Sequence, residues 1–401
     1  MHCRRVVVRE FATRSNESLH SLCLDTFPLN EPIVDIDRFI RGDSGRLPAY
    51  EAVPSVDELA LRYGIATSDL VRLDSNENPY GPSAAVREAM LCVAAERYPD
   101  SQSLRLRAAL AEYSGVPDDQ IVAGNGADEI IDLLFRVLLD PGDEVAICPP
   151  TFSVYRTTAL LNRGRVVEMR RDSRYAVDVD AVKNSVGPRT KLIVVCSPNN
   201  PTGNVTERSD IVRLLNLGVP LLLDEAYVEF SSGSAVDLVG TYPNLVIVRT
   251  MSKWSALAGL RLGYGIMTEV LARRLLAIKP AFNVNAAAEA AALASLADIE
   301  SVLVNVERLR EGRACLQRDL AACPFLEIFP TSANFVYCQV RGATAQWVGE
   351  ELMRRGIAIR VFADPAALRI TVGTREQNER LMEALGEIGC GIPDLSDINA
   401  T

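Results

Sequence analysis

TMSKWSALAGLRLGYG, residues 250–265, follows the apolar β-branched run LVIV at 245–248. Lys253 stands one residue after Ser252, and Arg261 follows eight positions later among small residues and glycines. A solvated lysine needs no such setting. A buried strand that ends on a lysine, with little side-chain bulk after it, lets backbone approach a bound group closely. The arginine adds a planar fork suited to phosphate. The stretch therefore reads as a lysine held against a phosphate-bearing group.

Working outward, helical and strand patterns alternate from Val56 onward. Helices are expected at 56–63, 84–95, 103–113 and 128–138. Strands are expected at 144–147, 165–168, 191–195, 220–223 and 245–248. LIVVC at 192–196 and LLL at 221–223 are continuous apolar runs, as in strands covered on both faces of a mostly parallel sheet. One helix of about thirty residues is expected to start near Ala286 and cross Glu289, Glu300 and Arg308. A second α/β unit follows, with strands expected at 334–338, 358–361 and 368–372.

Three of the apolar strands run into polar residues: VVCSPNNPTG into Asn199, Asn200 and Thr202, PLLLDEAY into Asp224, Glu225 and Tyr227, and VIVRTMSK into Ser252 and Lys253. Ligands of open α/β sheets bind outside the carboxyl ends of the strands. That rule gathers three distant segments into one place.

Composition bounds the alternatives. The chain has 401 residues, 48% of them hydrophobic and 23% charged, which is ordinary for a globular protein with a large core. Its net charge of −10 argues against general nucleic-acid binding, which needs a basic face. No uncharged apolar run reaches membrane-spanning length. The nine cysteines are scattered without a CxxC pair. They read as free thiols of a reducing compartment, the cytoplasm. Both histidines, His2 and His20, fall in the first twenty residues. Acid–base chemistry in the core must therefore use lysine, tyrosine or carboxylates, and no metal site is expected. Residues 1–45 lack clear periodicity and read as a mobile extension. Arg4, Arg5, Arg9 and Arg14 are what a transit peptide would carry, but Glu10 and Glu17 weaken that reading.

Taken singly, each polar segment has an ordinary explanation. Asp224 would cap a helix, SPNNPTG would be a loop, AGNGADEI at 123–130 a glycine turn before a helix, and Phe152 a core residue. Together they fit pyridoxal phosphate, which requires a lysine for covalent attachment, an acid for its ring nitrogen and a phosphate cup. Lys253 would be the anchor and Asp224 the partner of the ring nitrogen. Tyr227 and Asn200 would donate to the phenolic oxygen, and Phe152 would stack on the ring. The amides of Ala127 and Asp128, opening a helix, would hold the phosphate with Ser252 and Arg261.

The motifs LDSNENPYGPS, RYPD, GNGADEIID, CPPTFSVY, SPNNPTG, LLLDEAYVEF, TMSKWSALAGLRLGYG, NVNAAAEAAAL and LRITVGT occur in order over about residues 46–385. On these the chain resembles the fold-type I pyridoxal-phosphate aminotransferases of the aspartate aminotransferase superfamily, and within them the histidinol-phosphate aminotransferase subgroup. The resemblance implies an α/β fold: a large domain at 81–285, its mostly parallel sheet flanked by helices, and a smaller α/β C-terminal domain at 286–401. Residues 46–80 would form an N-terminal arm and part of the small domain. The implied reaction is transamination between L-histidinol phosphate and 2-oxoglutarate in histidine biosynthesis, by a homodimer. Tyr98 in RYPD matches a tyrosine that reaches the neighbouring subunit's coenzyme phosphate. Arg369 matches the arginine that grips the substrate carboxylate. Arg360 and Tyr50 resemble the pair used for the substrate phosphate.

Some positions depart from the subgroup. Phe282 stands where a tyrosine is frequent, Trp254 is bulky for its place after the lysine, and the segment between Arg360 and Arg369 looks a few residues short. An aromatic amino-acid aminotransferase and a threonine-phosphate decarboxylase-like enzyme therefore stay open.

Overall fold

The structure, a computed structural model, describes residues 35–42, 44–47, 54–363 and 365–391. Two units separate, 1–46 and 47–401. In the first, two 3-10 turns are described, Ile36–Phe39 and Ser44–Arg46, and the Asp35 carboxylate caps the former by accepting from the Asp37 amide. All that follows concerns the second.

Twelve strands are described there: β1 (Val71–Leu73), β2 (Ile121–Asn125), β3 (Glu144–Ile147), β4 (Arg165–Glu168), β5 (Thr190–Cys196), β6 (Leu221–Asp224), β7 (Leu245–Thr250), β8 (Leu262–Ile266), β9 (Leu326–Ile328), β10 (Phe335–Val340), β11 (Ile357–Ala363) and β12 (Ala366–Thr371). They form a seven-stranded sheet in the order β2-β8-β7-β6-β5-β3-β4 and a five-stranded sheet in the order β1-β11-β12-β10-β9. In the larger sheet β7, β6, β5, β3 and β4 are parallel, and β8 runs antiparallel to both β7 and β2. The side chains of Leu192–Cys196, Leu221–Leu223 and Leu245–Val248 are all within 1% of full burial. Each large apolar side chain so buried contributes about 1.5–3 kcal/mol, which is why these runs form central strands.

Most helix boundaries lie close to those expected, but the helix expected at 84–95 is Ala84–Leu91, ending at Cys92 with φ −92° and ψ 4°. The expected helix at 56–63 is Val56–Tyr63, its start capped by Ser55 and its end marked by Gly64 in the left-handed region. Gly126, at φ 81°, turns β2 into the helix Ala127–Leu138. That helix carries Asp128 and Glu129 in its first turn and buries Ile130, Ile131, Leu134 and Phe135 along one stripe. The expected thirty-residue helix is instead two, Ala286–Ala297 and Ile299–Ala321. Asp298 breaks the run at φ −107°, ψ 37°. The nearby Ser301 hydroxyl holds its carboxylate below the usual range. A short carboxylate with such a local partner favours a helix start over a helix interior.

Among the described residues no helix is long and apolar enough to cross a membrane.

Candidate active site

The carboxyl ends of β5, β6 and β7 lie side by side: Cys196 pairs with Asp224, and Asp224 with Val248. This is the gathering expected from the polar strand ends. Because β8 runs the other way, its first residues, after Arg261, return to the same edge, opposite Asn125 at the end of β2. The helix Ala127–Leu138 thus opens at that edge with its amides exposed to it.

Asp224, 4% exposed, accepts the Tyr155 hydroxyl on Oδ2 at 2.5 Å and the Ala226 amide on Oδ1 at 2.9 Å. Burial pushes its carboxyl up to about 6, against the pull of those two donors. Phe152 packs edge-on to Tyr155, with ring centroids 5.7 Å apart. The Lys253 amine donates to the Ser75 carbonyl at 3.0 Å. Burial brings that amine down to about 8, helped by the nearby positive charge of Arg369. Tyr227 is 4% exposed, its phenol pushed up by burial, and its oxygen accepts from Asn76 Nδ2 at 2.9 Å.

Arg369, on β12, donates to Asn200 Oδ1 and to the Asp74 carbonyl, both at 2.6 Å, and its guanidinium lies 5.4 Å from the Phe335 ring centroid. Arg360 on β11 is its direct cross-strand partner. Opposed residues of an antiparallel pair share one face, so the two arginines stand together. Ala363 pairs with Ala366, making a tight hairpin that accounts for the short segment between them. The Arg360 guanidinium also lies over Phe362, 6.0 Å from its centroid.

The glycines here are steric requirements. A Cβ on Gly263 would lie 2.2 Å from the Ala127 nitrogen, and one on Gly126 would lie 2.8 Å from Arg261 Nη2. Arg261, itself at φ 56°, donates to Asp128 Oδ2 at 3.0 Å. Ser252 is buried, and its oxygen accepts from the Thr250 hydroxyl at 2.9 Å. Helix amides, a hydroxyl and a guanidinium thus surround a cradle with no room for a Cβ.

Behind the site, Glu225 turns away from its neighbour Asp224. It accepts Arg249 Nε at 3.0 Å and Nη2 at 2.9 Å in a buried ion pair that fastens β6 to β7 just before Lys253. Trp254 is fully buried and stacks on Tyr113 at 5.2 Å, so its bulk goes into the core.

The edge therefore assembles Lys253, Asp224, Tyr227, Asn200, Ser252, Arg261, Ala127 and Asp128, with Phe152 against Tyr155 and Arg369 against Asn200. Tyr98 is apart: it is 81% exposed and stacks on Phe282 at 4.5 Å. Tyr50 lies outside the described residues. Sequence reasoning missed Tyr155, although it lies three positions after Phe152 in a motif already singled out. It also missed residues 74–76: Asp74 and Ser75 act through carbonyl oxygens, which leave no side-chain signature, and Asn76 through its side-chain amide.

Comparison with known proteins adds to this geometry. Residues 68–385 match the family model of class I and II aminotransferases. A histidinol-phosphate aminotransferase of Roseiflexus castenholzii is 42% identical over 366 residues, covering 88% of this chain and 99% of that protein. A chloroplastic histidinol-phosphate aminotransferase of Nicotiana tabacum is 39% identical, covering 87% and 86%. The crystal structure of the Sinorhizobium meliloti histidinol-phosphate aminotransferase in complex with pyridoxal-5'-phosphate superposes with a TM-score of 0.78 at 25% identity, over 85% of this chain and 96% of that one.

Proposed function

The chain belongs to the class I and II aminotransferases, and on that premise we infer that it exchanges an amino group between L-histidinol phosphate and 2-oxoglutarate, giving imidazole acetol phosphate and glutamate. The coenzyme is pyridoxal 5'-phosphate on a fold-type I scaffold, and the pathway is histidine biosynthesis. The observation that carries this is the half-buried Lys253 amine, hydrogen-bonded to the Ser75 carbonyl, on the same strand-end edge as the buried Asp224 carboxyl. The cradle at Gly126 and Gly263 fits a phosphate.

Lys253 would hold the coenzyme, whose conjugated ring takes up the electron pair released when a bond at the substrate's α-carbon breaks. Asp224 would face the ring nitrogen, where a positive charge keeps the buried carboxylate ionised. The Ala127 and Asp128 amides, Ser252 and Arg261 would bind the phosphate, Phe152 would cover the ring, and Tyr227 and Asn200 would donate to the phenolic oxygen. A neutral Lys253 Nζ can take a proton from one carbon and deliver it to another. With its value near 8, an appreciable neutral fraction exists at neutral pH.

The Arg369 fork would bind the substrate carboxylate in the glutamate half-reaction and, since histidinol phosphate has no carboxylate, would share its phosphate in the other half-reaction with Arg360, opposite it, and Tyr50. Guanidinium suits both anions. We further propose a cytoplasmic homodimer in which Tyr98 serves the partner's coenzyme phosphate, consistent with its exposure. In this reading 81–285 and 286–401 act as large and small domains, with 46–80 as arm and part of the small domain.

An amino-donor and amino-acceptor screen with purified protein tests the substrate. Histidinol phosphate with 2-oxoglutarate is expected to give the highest kcat/KM. Faster turnover of phenylalanine or tyrosine would move the assignment to an aromatic aminotransferase, and carbon dioxide released from threonine phosphate would move it to a decarboxylase.

A further inference from the structure

Three consecutive residues after β1 touch three different functional side chains. The Asp74 carbonyl accepts from Arg369 Nη2, the Ser75 carbonyl accepts from Lys253 Nζ, and the Asn76 side chain meets the Tyr227 oxygen. The last contact carries directional information. The Asn76 backbone N–H donates to Thr371 Oγ1 at 2.9 Å, so the Thr371 hydroxyl proton is free to go elsewhere. It goes to Asn76 Oδ1, at 3.2 Å. With Oδ1 committed as an acceptor, the amide presents its Nδ2 protons to Tyr227, at 2.9 Å. The phenolic oxygen therefore receives a hydrogen bond from this side, and its own proton must point another way.

Surrounding contacts fix the pair in place. Asn334 Nδ2 donates to the Asn76 carbonyl at 3.0 Å, and the Phe335 ring meets Tyr227 edge-on at 5.1 Å and 89°. Asn76 is 1% exposed and sits at φ 54°. Asparagine tolerates that left-handed backbone better than most residues and still supplies the donor.

We propose that Asn76 is a positioning residue for transamination: it fixes the direction of the Tyr227 hydroxyl proton and aims it at the phenolic oxygen of the coenzyme. This rests on the function inferred above. Asn76 does not touch the reacting atoms and acts only through Tyr227. The ionisable groups facing that phenol are Arg369, Asp224 and the Cys196 thiol, and none of them occupies the Asn76 position.

The test is the pH titration of the visible absorbance of the lysine-bound coenzyme in the holoenzyme. A hydrogen bond donated to the phenolic oxygen lowers the midpoint of that titration, and Tyr227→Phe is expected to raise it by about one pH unit. Asn76→Gly keeps the left-handed backbone and adds no charge, so it should move the midpoint upward by a part of that amount. Thr371→Val, which frees the amide to rotate, should move it in the same direction and guards against a misfolded glycine variant. In a Tyr227→Phe background neither substitution should add a further shift. An unmoved midpoint in both variants, or a shift of undiminished size in the Tyr227→Phe background, would overturn the inference alone. An unmodified protein with no Lys253-dependent visible band would overturn the functional reading and this inference with it.

Discussion

Gly263→Ala puts the phosphate cradle under direct steric load. A Cβ there would lie 2.2 Å from the Ala127 nitrogen, 2.5 Å from the Gly126 carbonyl carbon and 2.8 Å from the Ala127 Cα. All three are backbone atoms, so no side chain can swing aside. Gly263 is also held on both sides, by Gly124 on β2 and Thr250 on β7. Relief must come from parting β8 from the helix start by about 1 Å, enough to spoil hydrogen bonds from the Ala127 and Asp128 amides. Overpacking of this kind costs about 1–3 kcal/mol of stability. One charge-assisted bond lost from the phosphate is worth about 1.5–3 kcal/mol, so coenzyme affinity should fall by roughly tenfold to a hundredfold. The assay is coenzyme titration of the apoprotein, with thermal unfolding of the same apoprotein alongside. Gly259→Ala, in the same loop with nothing within 4 Å of its added Cβ, is the control and should change neither. Equal coenzyme affinity for Gly263→Ala and the unmodified protein would refute the steric argument.

Asp224→Asn should separate stability from binding. Burial raises the folded-state value to about 6 from 3.8, so this group's stabilising effect is present below about 4 and lost as pH rises through 6. Asp224→Asn apoprotein should therefore gain about 3 kcal/mol over the unmodified protein at pH 8 and little at pH 4, read by urea unfolding, while its coenzyme affinity drops. Arg360→Ala should slow the histidinol-phosphate half-reaction by roughly tenfold to a hundredfold and leave the glutamate half-reaction comparatively intact, whereas Arg369→Ala should slow both. Equal losses in the two halves for Arg360→Ala would remove it from phosphate recognition. Mixing inactive Tyr98→Phe and Lys253→Ala proteins should restore part of the activity through hybrid dimers, and a fully active monomer in sedimentation would contradict that.

Much of this was legible in the sequence because hydrophobic burial writes itself as runs. The strands expected at 144–147 and 165–168 have those bounds, and the 245–248 run needed only Arg249 and Thr250 added. The site was legible where side chains of distinct chemistry follow such runs, as at Asp224 and Lys253. It was not legible where backbone does the work. Ser75 and Asp74 reach Lys253 and Arg369 through their carbonyls, and every residue has one. The Arg249–Glu225 pair was hidden for another reason: nothing local tells a buried arginine from a strand-end surface arginine until β6 and β7 are set side by side. The break at Asp298 lay inside an alanine-rich pattern that fits one helix as well as two.

Single-turnover mixing of the purified holoenzyme with histidinol phosphate, and then with 2-oxoglutarate, tests the assignment most directly. Histidinol phosphate should bleach the visible band of lysine-bound coenzyme with release of one keto product per site, and 2-oxoglutarate should restore the band with formation of glutamate. Lys253→Ala protein should show no such band to bleach. A band untouched by histidinol phosphate but bleached by phenylalanine or tyrosine, or one whose loss with threonine phosphate releases carbon dioxide, would contradict it.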